Sequence, residues 1–92
     1  LERFPGFWVQ DCAAAVQNLL LAVHSHGLGA VWTGIFPLTD RVAGFQQLCR
    51  LPERVIPLAL VVIGYPAELL PAQDRFRQER IHRNRWQETA HA

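Results

Sequence analysis

DCAAAVQNLLLAVHSHGLGAVWTG, residues 11–34, is the stretch that decides how this chain folds. Its first part is rich in Ala and Leu, both good helix formers. Gly27 and Gly29 supply the stop. The spacing predicts a helix that begins between Phe7 and Asp11 and runs to about His26, with Asp11 capping it or favouring its positive end. Its polar residues recur in pairs seven apart: Gln10 and Asp11, Gln17 and Asn18, His24 and Ser25. On a helix these form one narrow polar stripe, with apolar surface around most of the circumference. Such a helix needs neighbours on several sides. Gly29 to Trp32 follows as a short strand or extended segment, and Thr33-Gly34 as a turn.

Downstream, Ile35-Phe36-Pro37 reads as a loop, because Pro37 disfavours helix in the residue before it. Thr39 is placed to cap a second helix over about Asp40 to Arg50. Val42, Phe45, Leu48 and Cys49 share one apolar face of it, and Pro52 closes it. Val55 to Ile63, VIPLALVVI, is apolar without alternation, the pattern of a strand buried on both faces and central in its sheet. Pro57 belongs at the start of that strand. Gly64-Tyr65-Pro66 ends it, and the remainder to Ala92 is polar and Arg-rich, an extended arm.

Of the 92 residues, half are hydrophobic and 18% are charged. This excludes a disordered tail, a collagen-like repeat and a disulfide-stapled mini-protein. All nine basic residues are Arg, yet the net charge is only +1, so the composition is not that of a nucleic-acid binder. Cys12 and Cys49 make no CxxC pair, which points to a reducing, cytoplasmic compartment. The longest apolar run, Leu58 to Ile63, is too short to cross a bilayer, and no signal segment opens the chain. The chain contains no Met, which predicts a piece of something longer. An all-round apolar helix and a two-faced apolar strand also need more cover than one amphipathic helix and a polar arm provide.

Taken in order, residues 11–34, LPERVIPLALVVIGYPAE (51–68) and DRFRQERIHRNRW (74–86) resemble the nitroreductase family of flavoproteins. That family has a D-x-A-A-A-x-Q-N-L-L-L-A helix running into G-L-G-A-V-W-x-G. A P-E-x-V-x-P strand ending in I-G-Y-P comes later, and then a basic tail ending H-x-N-x-W. The resemblance implies an α+β fold with a central mixed or antiparallel sheet flanked by helices, of which residues 1–92 form the C-terminal half. The family's R-R-S-x-R-x-F stretch, which grips the flavin phosphate and ribityl chain, has no counterpart here.

The resemblance further implies FMN as cofactor, held at the interface of a homodimer. NAD(P)H is the implied hydride donor, and a nitroaromatic, quinone or activated alkene the electron-poor acceptor. On the matching positions, the backbone of Trp32, Thr33 and Gly34 faces the flavin ring near N5 and O4, and Gly34 permits close approach. Counting back from His82, Arg75 falls on the phosphate position with Arg77 beside it, and the planar guanidinium fork suits that role. No side chain of this chain is expected to act as a catalytic group, because the flavin carries the chemistry.

Other constellations carry less. His24 and His26 sit at i and i+2 of a helix, on different sides, with no third metal ligand near, and read as helix-end histidines. Cys12 and Cys49 read as small buried hydrophobes. Ser25, the only Ser, lacks a G-x-S-x-G setting. Gly27-x-Gly29 ends a helix instead of starting one, so it is no dinucleotide fingerprint. The five Arg of Arg75 to Arg85 also fit a solvated, self-paired arm. A rival reading from a different class is a helical dimerisation or binding fragment without cofactor.

Overall fold

The computed structural model describes residues 6–88; residues 1–5, and 89–92 at the end of the predicted arm, lie outside the described residues. The first helix, α1 (Phe7–Ser25), starts earlier than a cap at Asp11 allows. Its N-cap is Gly6 at φ 94°, with no side-chain cap, and Asp11 is the fifth helical residue. Gly6 can enter this left-handed conformation because it has no Cβ. At the other end the N–H of Gly27 donates to the His24 carbonyl and that of Leu28 to the Val23 carbonyl. This pair of bonds is a Schellman closure with Gly27, at φ 75°, in the left-handed position. Nothing lies within 4 Å of where a Cβ on Gly27 would sit, so its requirement for glycine is conformational. Gly27→Ala should therefore cost about 1 kcal/mol, read as a fall in Tm of roughly 4–8 °C. An unchanged Tm would show that this closure does not hold the helix end.

The strand β1 (Gly29–Gly34) is two residues longer than predicted, since Thr33 and Gly34 extend it instead of turning. The chain turns just after, where the N–H of Leu38 donates to the Ile35 carbonyl. Leu38, not Thr39, is the N-cap residue of α2 (Thr39–Leu48), and Thr39 is its first helical residue. The second strand, β2 (Ala59–Gly64), is shorter than the apolar run. Residues before it are engaged locally. The N–H of Val55 donates to the Pro52 carbonyl, and the Gln46 side-chain amide donates to the carbonyls of Glu53 and Val55. Those backbone groups are spent on α2 and a turn, so they do not join the ladder.

The two strands pair antiparallel from Gly29 opposite Gly64 to Gly34 opposite Ala59. The architecture is α+β: two helices and a two-stranded antiparallel sheet, with α1 packed on β1. Half-buried Trp8, Val9, Ala13, Val16 and Leu20, with buried Val23, form one stripe of α1 at helical spacing. Ile35, 1% exposed, completes the core. Trp8 meets Phe36 edge-on at 4.9 Å, which joins the start of α1 to the turn after β1.

Much apolar surface is left open. The accessible surface is 8665 Å², against ~5,400 Å² for a compact monomer of this mass. The radius of gyration is 18.2 Å, against ~12 Å for a compact chain of this length. Cys12, Ala15, Leu19 and Ala22, a second stripe of α1, are exposed, as are Val31, Leu60 and Val62 on one sheet face. Cys12 and Cys49 are exposed free thiols, contrary to their reading as buried hydrophobes, because no described residue covers the faces they lie on. Among the described residues, β2 pairs on one edge only, with β1. Among the described residues, no helix is long and apolar enough to cross a membrane.

Candidate functional site

The end of β1 at Gly34 carries backbone groups that the ladder leaves unpaired. The N–H of Ile35 donates to the Leu58 carbonyl at 3.0 Å, and the register places Gly34 opposite Ala59. In an antiparallel ladder, pairs alternate between those that exchange hydrogen bonds and those whose N–H and C=O point away from the partner strand. Thr33 opposite Leu60 is therefore a bonded pair. Trp32 opposite Val61 and Gly34 opposite Ala59 are not. The amides of Trp32 and Gly34 point out along the edge of β1 away from β2, which no described strand covers, and the amide of Thr33 is engaged in the ladder.

The surroundings of this edge suit a flat partner. Trp32 is 40% exposed and shares its sheet face with Gly34 and half-buried Val61. Among the described residues, nothing beyond its two chain neighbours lies within 4 Å of the Cβ position at Gly34, and Gly34 has no positive φ to demand glycine. Its lack of a side chain is thus unexplained by the chain's own packing. A group approaching from outside would use that space.

Sequence reasoning missed one contact here. Arg41, in the first turn of α2, donates from a guanidinium nitrogen to the Gly34 carbonyl at 2.9 Å. The pairing depends on the 35–38 turn bringing α2 back to the strand end, and no local pattern encodes that.

Arg75 and Arg77 lie elsewhere, on the exposed arm after β2. The Arg75 guanidinium donates to the Gln73 side-chain carbonyl at 3.0 Å, a bond within the arm. Among the described residues, the arm's side-chain hydrogen bonds reach no further than five positions along the chain. The structure brings Trp32, Thr33 and Gly34 together, and no hydrogen bond joins them to the two arginines. Among the described residues, the arm's only regular element is a short 3-10 turn, η1 (Gln78–Arg80). Its H-x-N-x-W motif has a local cause. Asn84 takes a left-handed φ of 67°, His82 stacks on Trp86 at 4.1 Å, and the N–H of Gln87 donates to His82 Nδ1. Asn tolerates that backbone conformation better than most residues.

A cleft of about 570 Å³ opens at the opposite end of the ladder, lined by Gly29, Val31, Val62, Tyr65, Pro66 and Leu70 among others. It is mostly apolar and takes in none of the five residues named from the sequence. Among the described residues, no three His, Cys, Asp or Glu side chains gather to hold a metal ion.

Comparison with known proteins gives this geometry its context. The chain is 57% identical over 86 residues to a Methanothermobacter thermautotrophicus protein named "Putative NADH dehydrogenase/NAD(P)H nitroreductase", covering 94% of this chain and 45% of that protein. It is 29% identical over 84 residues to "FMN reductase (NADPH)" of Bacillus subtilis, covering 89% of this chain and 33% of that one. The crystal structure of a "Putative NADH Oxidase" from Clostridium acetobutylicum superposes with a TM-score of 0.86 at 34% identity, over 92% of this chain and 52% of that one. The chain thus spans about half the length of such relatives, or less. Residues 2–65 match the model of the family described as "Nitroreductase family". On that match, the outward-facing strand end at Trp32 to Gly34 is part of a nitroreductase fold, and the chain belongs to the nitroreductase family.

Proposed function

We propose that this chain forms the C-terminal half of a nitroreductase-like domain and contributes the ring edge and part of the phosphate site for FMN. The observation that carries the reading is the pair of unengaged amides at Trp32 and Gly34, beside a Cβ position that the chain leaves open. FMN has a flat ring with acceptor atoms on its edge and an anionic phosphate at its far end. The residues present fit both ends: donors and a glycine gap for the ring edge, and the Arg-rich arm for the phosphate. Family membership and the FMN named for the Bacillus subtilis relative point the same way.

When bound, FMN supplies the chemistry, passing hydride from NAD(P)H to a small electron-poor acceptor: a nitroaromatic, a quinone or an activated alkene. The work of this chain is to bind and orient. The Gly34 and Trp32 amides donate to acceptor atoms of the ring edge. The Thr33 amide, tied to β2, keeps the donor strand rigid, so that little reorganisation accompanies binding. Arg75 and Arg77 hold the phosphate with charge-assisted bonds. No side chain of this chain serves as nucleophile or general base.

The proposed assembly is a homodimer, supported by the exposed stripe of α1 and the open apolar sheet face, since apolar patches of this extent mark interfaces. The proposed compartment is the cytoplasm, in keeping with two exposed unpaired thiols. Sedimentation velocity of the purified chain at micromolar concentration should show dimers or larger species. A folded, stable monomer would contradict the assembly. FMN titration of the product of the complete reading frame tests the cofactor: saturable binding is expected, and its absence would overturn the reading.

A further inference from the structure

Resting on the FMN reading of this edge, we propose that Arg41 is a positioning residue: it fixes the Gly34 backbone that meets the flavin and places a positive charge beside it. The Gly34 carbonyl belongs to a pair whose backbone groups point away from β2, so the ladder leaves it without a partner. Arg41 supplies one at 2.9 Å. The same peptide unit is held on its other side, where the N–H of Ile35 donates to the Leu58 carbonyl at 3.0 Å. The Gly34–Ile35 peptide is therefore pinned from both directions, and the Gly34 amide is left as the outward donor of that residue.

The placement of Arg41 has no explanation in helix stability. Arg41 occupies the first turn of α2, where the helix dipole disfavours a cation and Asp40 is the favourable charge. Its bond to Gly34 is the compensation. A single guanidinium nitrogen makes that bond, so the remaining donors and the charge stay at the strand edge. A cation there favours the extra negative charge that flavin gains on reduction, through the same electrostatics that pairs oppositely charged groups.

The test uses the product of the complete reading frame loaded with FMN. Arg41→Gln removes the charge, Arg41→Lys keeps it with a single donor in reach, and Arg54→Gln removes an exposed charge outside the site. Arg41→Gln should raise the FMN dissociation constant about tenfold. It should also make the midpoint potential of the bound flavin more negative and alter its visible circular dichroism at saturating FMN. Arg41→Lys should restore the potential, and Arg54→Gln should match the parent throughout. If Arg41→Gln lowers thermal stability but leaves potential and dichroism unchanged, Arg41 only clamps the turn and the proposal is overturned. If Arg41→Lys fails to restore the potential, the charge has no role and the proposal is likewise overturned. A parent that takes up no FMN instead defeats the cofactor reading itself, and is recognised before any variant is compared.

Discussion

Gly34→Val should strip FMN from the protein while leaving its fold intact. The two halves of that expectation come from one observation. Beyond its two chain neighbours, no described residue lies within 4 Å of the Cβ position at Gly34, and its φ is not left-handed, so the fold accommodates a side chain there. A branched side chain would, however, fill the space through which a flat ring reaches the Gly34 amide. We expect FMN affinity to fall by about a hundredfold or more, equivalent to ~2.7 kcal/mol. Thr33→Ala is the matched control. The Thr33 amide is engaged with β2, and its side chain is not called upon, so FMN retention should be that of the parent. Thermal melts of both variants should stay near the parent. Equal flavin retention in the two variants would remove Gly34 from the site.

Arg75→Ala should copurify with little FMN, yet recover activity when FMN is added in excess. A charge-assisted, planar contact to a phosphate is among the stronger hydrogen bonds, and its loss should weaken binding by about 10- to 100-fold. In the structure the Arg75 guanidinium is exposed and bonded only to Gln73, a neutral neighbour that a phosphate would outcompete. Arg77→Ala should have a smaller effect of the same sign. Arg83→Ala lies within the H-x-N-x-W turn and should behave like the parent. Loss of flavin from Arg83→Ala with retention in Arg75→Ala would show that the arm is aligned in the wrong register. Retention in both would assign the phosphate wholly to residues outside this chain.

What was legible in the sequence was the order and type of the elements, because hydrophobic spacing and glycine stops act locally. The Ala- and Leu-rich run ends where Gly27 closes α1, and the apolar run at 58–63 supplies all of β2 but its last residue, Gly64. The misplaced details depend on partners far along the chain. Asp11 carries the chemistry of a cap, but Gly6 takes the position because its backbone turns left-handed. Thr39 has a capping hydroxyl, but the turn through Ile35 and Leu38 puts it one residue inside α2. Thr33-Gly34 looks like a turn, yet the bonded pairs on either side of Gly34, Thr33 with Leu60 and Ile35 with Leu58, hold it in the ladder.

The site divides in the same way. The Trp32 to Gly34 segment stands out by its glycine and indole after a long helix. Which of its amides are unengaged follows only from the register against β2. Arg41 is invisible in any motif, because its significance is a single bond to a carbonyl seven residues earlier. The exposure of the thiols is not legible locally: their apolar neighbours in sequence suggest burial, and the covering layer is not supplied by the described residues.

Backbone amide hydrogen exchange, resolved at Trp32, Thr33 and Gly34 with and without FMN, tests the central claim most directly. The Thr33 amide should be protected in both states, since β2 holds it. The Trp32 and Gly34 amides should exchange quickly without FMN and slow on its addition. If FMN binds but leaves the Gly34 and Trp32 amides unchanged, this strand end is not where the flavin ring is held.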